Sequence, residues 1–304
     1  MKLVSYKRKE KLESLRIGFM KEEKIIDVQE AYCQLKGIRS VSESILPADP
    51  TKFYKMGIPA IEIAKEIYTY SFENDLKNAS LNREEVYVST PIPEPSKIIC
   101  VGKNYVEHAA EMQSEVPDYP VLFAKFPNAL IGPDDEMVKS AETEKFDYEV
   151  ELTVVIGKEA SNVSKERALD YISGYTIGND GTARDLQKRT PQWLQGKSLD
   201  NSTPVGPWIV TADEVGNPGD LDIRSFVNGV ERQASNTSKL IFDIPYLITF
   251  ISQLMTLNPG DIIMTGTPNG VGFAMDPPTF LKDGDIIALE VEKIGRMENR
   301  VREC

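Results

Sequence analysis

Glu149 and Glu151 stand with one residue between them on a strand-like run from Phe146 to Gly157. Asp180 follows 29 positions after Glu151, closing a second apolar run that starts at Gly174. Side chains alternate along a strand, so the two glutamates leave from one face while Val150, Leu152, Val154 and Ile156 leave from the other. Those apolar residues hold the register, because a slip by one would expose all four. Three carboxylates brought together repel one another unless a cation lies between them. An all-oxygen donor set suits a hard, octahedral ion, Mg²⁺ or Mn²⁺, better than zinc. The pattern therefore points to a metal-dependent enzyme. From spacing alone a plainer reading stays open: two glutamates on the wet face of a half-buried strand and an aspartate in a solvated loop.

Three further groups bear on chemistry. His108 and Glu111 lie three apart in a helix-like stretch, Tyr105 to Met112, and would share one helical face. A carboxylate beside an imidazole sets its tautomer and stabilises its cation, which makes a general base near neutral pH. Lys197, in the polar, loop-like stretch Trp193 to Asp200, is placed to bind a substrate carboxylate or stabilise developing negative charge. Asp261 to Gly272 reads as a strand entering a glycine-rich loop, whose N–H groups and Thr hydroxyls suit a carboxylate or phosphate but lack the P-loop pattern. Lys103, Lys125, Arg184 and Lys197 are basic residues close to these acidic motifs and could serve an anionic substrate. Taken singly, each of these also fits a surface or turn residue.

Composition removes several alternatives. A formal net charge of −12 argues against nucleic-acid or anionic-membrane binding, which rests on clustered Lys and Arg. With a single histidine, neither an HExxH zinc site nor a two-histidine facial triad can be built. No Gly-x-Ser-x-Gly elbow and no Walker-type Gly-Lys-Ser/Thr occurs. Cys33, Cys100 and Cys304 show neither metal spacing nor a disulfide framework. The N-terminus is charged and lacks the apolar stretch of a signal peptide, and no apolar run approaches a membrane span, so the cytoplasm is the default location.

These residues must be held by a β-rich frame. Residues 1–75 are expected to form a small α+β N-terminal domain, with a hairpin over Ser14–Met20 and Lys24–Val28 and a helix from Ile58 to Tyr70 after Pro59. A polar, then proline-rich stretch, residues 76–96, is the expected linker. Residues 97–304 open on the short strand Lys97–Gly102 and continue with many strands. Helices are expected only around Tyr105–Met112, Lys165–Tyr171 and Ile244–Met255. Strands that do not alternate with helices favour an α+β fold over a doubly wound sheet.

The motifs, in their order, resemble the fumarylacetoacetate hydrolase family. They are Gly-Lys-Asn-Tyr-x-x-His-x-x-Glu over 102–111, Leu122–Lys125, Asp147-Tyr148-Glu149-x-Glu151, Asn179-Asp180 followed by Thr182–Gln187, Gly196–Asp200, Val227–Gly229 and Thr265–Gly272. The resemblance covers about residues 97–294. It implies a mixed β-sandwich roll, usually a homodimer, with Mg²⁺ or Mn²⁺ on Glu149, Glu151 and Asp180. It further implies that His108 and Glu111 activate water beneath a lid segment, that Lys197 contacts substrate, and that Thr267 holds its carboxylate end. Lys125, Arg184 and Gln187 fall in the same motifs and are expected to bind substrate. Fumarylacetoacetases proper add an acidic ligand upstream of their histidine, which Val101–Asn104 does not supply. That places the chain nearer the acylpyruvase and oxaloacetate decarboxylase branch.

The implied reaction is cleavage of the C3–C4 bond of a small anionic 2-oxo acid, leaving an enolate whose charge a divalent cation would stabilise as a Lewis acid. A ketone at C4 makes this acylpyruvate hydrolysis, and a carboxylate at C4 makes it oxaloacetate decarboxylation. The alternatives are an isomerase of an aromatic-degradation pathway and a catalytically weak binding or regulatory protein.

Overall fold

The structure, a computed structural model, describes residues 1–10, 14–37, 45–112 and 115–304. Two sheets face each other across one core. The larger has twelve strands. Its main path runs Ser80–Asn82, Lys24–Asp27, Arg16–Lys21, Lys2–Arg8, Thr203–Thr211, Ile172–Asn179, Val150–Ile156, Ile262–Met264, Ile98–Gly102 and Val121–Lys125. The smaller orders Val230–Asn236, Asp222–Val227, Ile286–Val291, Gly295–Glu303 and Met137–Lys139. Most pairings are antiparallel, but Ile262–Met264 runs parallel to Ile98–Gly102 and Gly295–Glu303 parallel to Met137–Lys139, so both sheets are mixed. This is the β-rich α+β sandwich roll that the sequence predicts.

The strand Val150–Ile156 is buried on both sides. Val150, Leu152, Val154 and Ile156 enter the core between the sheets with Ile223, Leu289 and Val301 of the smaller sheet. Val155 packs on the other side with Leu3, Phe19, Ile61 and Met264. Burial on both faces rules out a wet face for the glutamates.

The expected hairpin is Arg16–Lys21 with Lys24–Asp27, Lys21 opposite Lys24 across a two-residue turn. The helix after Gly57 spans Ile58–Glu73, carries Pro59 in its first turn and buries Ile61, Ala64 and Ile67. The N-terminal strand Lys2–Arg8 pairs directly with Thr203–Thr211, and the 76–96 stretch holds two short strands hydrogen-bonded into the same sheet. Among the described residues no helix is long and apolar enough to cross a membrane.

Two local expectations differ. The run Phe146–Gly157 is two strands, Phe146–Asp147 and Val150–Ile156. Between them the Asp147 carboxylate accepts the N–H groups of Tyr148, Gly272 and Phe273, and the Glu149 N–H donates to the Asn179 side chain, so the chain leaves the ladder there. The stretch read as loop around Lys197 contains a short helix, Leu194–Lys197, packed on Arg184–Gln187. Gly196 makes that contact possible: a Cβ would lie 2.5 Å from the Ala183 carbonyl.

Candidate active site

One antiparallel strand pair assembles the three carboxylates. Val150 lies opposite Asn179 and Glu151 opposite Gly178. The Asp180 N–H donates to the Glu149 carbonyl at 2.9 Å, which closes the end of the ladder. Glu149, Glu151 and Asp180 each offer a ligand oxygen, these atoms lie within 4.8 Å of one another, and all three residues are buried.

Three buried cations surround them. Lys197 Nζ sits between Glu149 Oε2 at 2.8 Å and Asp180 Oδ2 at 2.7 Å. Arg184 donates from Nε to Asp147 Oδ2 at 2.8 Å, and its Nη2 lies 2.6 Å from Glu149 Oε1 without hydrogen-bond alignment. Lys125 Nζ reaches Asp180 Oδ1 at 2.7 Å and the Gly181 carbonyl at 3.1 Å. Burial favours the neutral form of Glu149, yet the Lys197 and Arg184 charges overcome it and hold that carboxyl well below the usual range. Burial also works against the Lys197 ammonium, but Asp180 and Glu149 hold its pKa above the ordinary lysine value. Glu151 is different. Burial, reinforced by Asp180 and Glu149, pushes its carboxyl well above the usual range. It accepts the Gly266 N–H at 2.8 Å, and no Lys or Arg pairs with it among the described residues. Four buried carboxylates, with Asp147, thus face three buried cations.

That imbalance fits a divalent cation. The donors are all oxygen, one of them lacks a counter-charge, and a 2+ ion would turn the cluster's net charge positive, ready for an anion. Glu149, Glu151 and Asp180 would hold it.

The imidazole stands beside this cluster. His108, on the helix Val106–Glu111, places Nδ1 3.2 Å from Glu111 Oε2, while Glu111 Oε1 accepts the Gly270 N–H at 2.8 Å. Glu111 therefore joins the helix to the glycine-rich loop. Asn104 secures the approach to the helix: its side chain donates to the Phe242 and Thr265 carbonyls and accepts the Phe242 N–H.

A narrow cavity of ≈ 60 Å³ opens on the triad, lined also by Lys103, His108, Met112, Phe123, Arg184, Gln187, Trp193, Lys197 and Thr267. Trp193 packs edge-on against Phe123 and so close to Gly102 that a Cβ there would lie 2.6 Å from the indole. Phe123 in turn lies 5.0 Å beneath the Lys197 ammonium.

Of the residues expected to bind substrate, Gln187 and Thr267 line the cavity. Arg184 also lines it, with its guanidinium committed to Asp147 and Glu149. Lys125 lies outside the lining of this cavity, with its buried ammonium on Asp180 and the Gly181 carbonyl. Lys197 contacts the carboxylates themselves as well as the cavity.

Sequence reasoning passed over the residues that hold the ligands in place. Gln233, fully buried on the smaller sheet, accepts from Val150 N–H and Ser225 and donates to Thr267 Oγ1 and the Pro268 carbonyl. It ties the glutamate strand to the glycine-rich loop, and nothing in its local sequence marks it. Asp147 also bonds the glycine-rich loop, through the Gly272 and Phe273 N–H groups, and Asn179 accepts the Glu149 N–H; both lie inside the quoted motifs, where their polarity beside Glu149 and Asp180 was the available signal.

Fold and site together define an enzyme built around a buried acidic centre and an imidazole–carboxylate pair. A family model described as fumarylacetoacetate (FAA) hydrolase C-terminal matches residues 97–302, and the chain belongs to that family. It is 44% identical over 287 residues to oxaloacetate tautomerase YisK of Bacillus subtilis, covering 92% of this chain and 93% of that one. It is 42% identical over 313 residues to the fumarylacetoacetate hydrolase domain-containing protein 2 homolog of Dictyostelium discoideum, covering 99% and 97%. Among solved structures, maleylpyruvate hydrolase from Sphingobium sp. SYK-6, in complex with manganese(II) and pyruvate, superposes with a TM-score of 0.75 at 31% identity, covering 100% of this chain and 99% of that one.

Proposed function

We propose that the protein is a divalent-metal-dependent enzyme that moves a proton at C3 of a small 2-oxo dicarboxylic acid, interconverting the keto and enol forms of oxaloacetate. The observation that carries this reading is a buried imidazole, backed by the half-buried Glu111 carboxylate, facing across a ≈ 60 Å³ cavity three carboxylates of which one has no counter-charge. The tautomerase relatives support the choice of substrate.

Glu111 accepts the Nδ1–H of His108, which leaves the Nε2 lone pair as the base. In the keto-to-enol direction Nε2 takes a proton from C3, the C2 oxygen gains one from solvent, and the imidazolium then gives its proton back to solvent. The reverse direction returns the C3 proton from the imidazolium, which Glu111 stabilises. Lys197 offers positive charge to the C2 oxygen as electron density moves onto it. A divalent ion on the triad would supply Lewis-acid polarisation of the 2-oxo group. Thr267, oriented by Gln233, presents a hydroxyl to the carboxylate end.

A second reading keeps the same residues. The His108–Glu111 pair also has the form of a water-activating base, as cleavage of the C3–C4 bond of an acylpyruvate requires, and the maleylpyruvate hydrolase relative favours it. Stopped mixing of Mn²⁺-loaded protein with enol oxaloacetate, followed by enol absorbance and by pyruvate release, separates the two. Loss of the enol signal faster than in metal-only controls, without pyruvate, is the expected result. Pyruvate released from oxaloacetate or from acetylpyruvate would move the assignment to cleavage, and silence in all three assays would overturn both.

A further inference from the structure

We propose that Lys103 sets the specificity of this cavity for dicarboxylates, by holding the substrate carboxylate that lies away from the 2-oxo end. The inference rests on the 2-oxo acid reading above and goes beyond it by naming what selects the second carboxylate.

Every other cation on the cavity wall is committed. Lys197 is held by Glu149 and Asp180, and Arg184 by Asp147 and Glu149. Lys103 is half-buried, lines the cavity, and has no carboxylate or carbonyl partner among the described residues. A cation with no counter-charge at the wall of a closed site is a receptor for an anion.

Its placement follows from strand register. Thr153 pairs with Met264, and Met264 with Cys100. Just beyond that pairing the Gly266 N–H bonds to Glu151, and a Cβ on Gly266 would lie 2.7 Å from Asn104 Cβ and 3.0 Å from the Val101 carbonyl. Lys103 lies between Val101 and Asn104, two strand spacings from the strand that carries Glu151, about 10 Å. A four-carbon acid and a lysine side chain together span that gap. The backbone at Lys103 is left-handed, φ 57°, a conformation that glycine adopts without strain and lysine does not. Asn104 holds it there through its bonds to Phe242 and Thr265. A strained, fixed backbone that aims an uncommitted charge is the pattern of a ligand clamp.

The test is calorimetry on the full Mn²⁺-loaded chain with L-malate and L-lactate, unreactive 2-hydroxy acids that differ by the distal carboxylate. The wild type is expected to bind malate roughly 10- to 100-fold more tightly than lactate, the range of a charge-assisted contact. Lys103→Gly, which suits the left-handed backbone, and Lys103→Met should bring malate to the lactate level without changing lactate or Mn²⁺ affinity. Lys103→Arg should restore most of the preference. In turnover the loss should appear as a raised KM for oxaloacetate with a much smaller change in kcat. Lys103→Gly that keeps the malate preference, or that weakens malate and lactate equally, would overturn the assignment while leaving the proposed function standing. A wild type that binds neither acid would remove both.

Discussion

Glu149 and Glu151 are two residues apart and chemically identical, yet their surroundings give them opposite tasks. Glu149 is saturated by Lys197 and Arg184, so Glu149→Gln leaves two buried cations short of a partner and should cost about 3–5 kcal/mol in chelated protein. Glu151 has no such partner, so Glu151→Gln should cost no stability there while abolishing Mn²⁺ affinity. Urea unfolding and metal titration of both variants check this, and equal destabilisation would refute the distinction. The pH dependence follows the same division. Unfolded, both carboxyls titrate near the ordinary value of about 4.3. Folded Glu151 keeps its proton to higher pH, so above that value the folded state binds more protons and stability falls as pH rises. The contribution of Glu149 has the opposite sense, present above the ordinary value and lost as pH drops toward its lowered one. Chelated wild type should therefore melt progressively lower from about pH 5 upward, a slope that Glu151→Gln removes and added Mn²⁺ offsets. His108→Asn should retain Mn²⁺ binding and lose about 10²- to 10⁴-fold in proton-transfer rate, the usual contribution of a general base.

At the scale of elements, the site depends on close approach between segments distant in sequence. Gly102 ends a strand, and Trp193 precedes the short helix that carries Lys197. Gly102→Ala would push a methyl into the indole, displacing Trp193 and with it the wall that positions Phe123 and Lys197. The variant should fold, lose at least about tenfold in kcat/KM, since roughly ångström misplacement of reacting groups costs that and more, and shift the emission of Trp193. Trp208 packs elsewhere, under Lys2 and against the Ile294 carbonyl, so its contribution should stay constant. Unchanged emission and activity would mean the indole is not part of the wall.

For the whole molecule, the N-terminal segment shares both a sheet and a core with the rest. Lys2–Arg8 pairs with Thr203–Thr211, and Leu3, Phe19 and Ile61 pack with Val155, Ile209 and Met264. Calorimetry should therefore show one cooperative transition rather than two, and two separable transitions would contradict the shared core. Tyr119, Leu254 and Met255 are exposed beside the stacked rings of Tyr246 and Phe250, and we propose this apolar patch as the contact surface of a homodimer. Sedimentation at twice the chain mass is expected, and a monomer at all concentrations would dismiss it.

Much of the candidate site was legible in the sequence because it lies in short motifs. Period-two alternation put Glu151 on the face opposite Val150 and Leu152, and helical spacing paired His108 with Glu111. The single histidine and the absence of nucleophile or phosphate motifs removed the competing chemistries. The net charge and the hairpin, helix and strand patterns were equally local properties of the chain. Only the tertiary structure decided which charges neutralise which. Lys125 and Lys103 look alike in sequence, yet one is sealed against Asp180 while the other faces the cavity uncommitted. Gln233 gained its role because a second sheet brings it beside Val150 and Thr267, 83 and 34 positions away along the chain. Charge pairing in a buried site depends on distance and desolvation, and both are set when the sheets close, not by the order of residues along a strand.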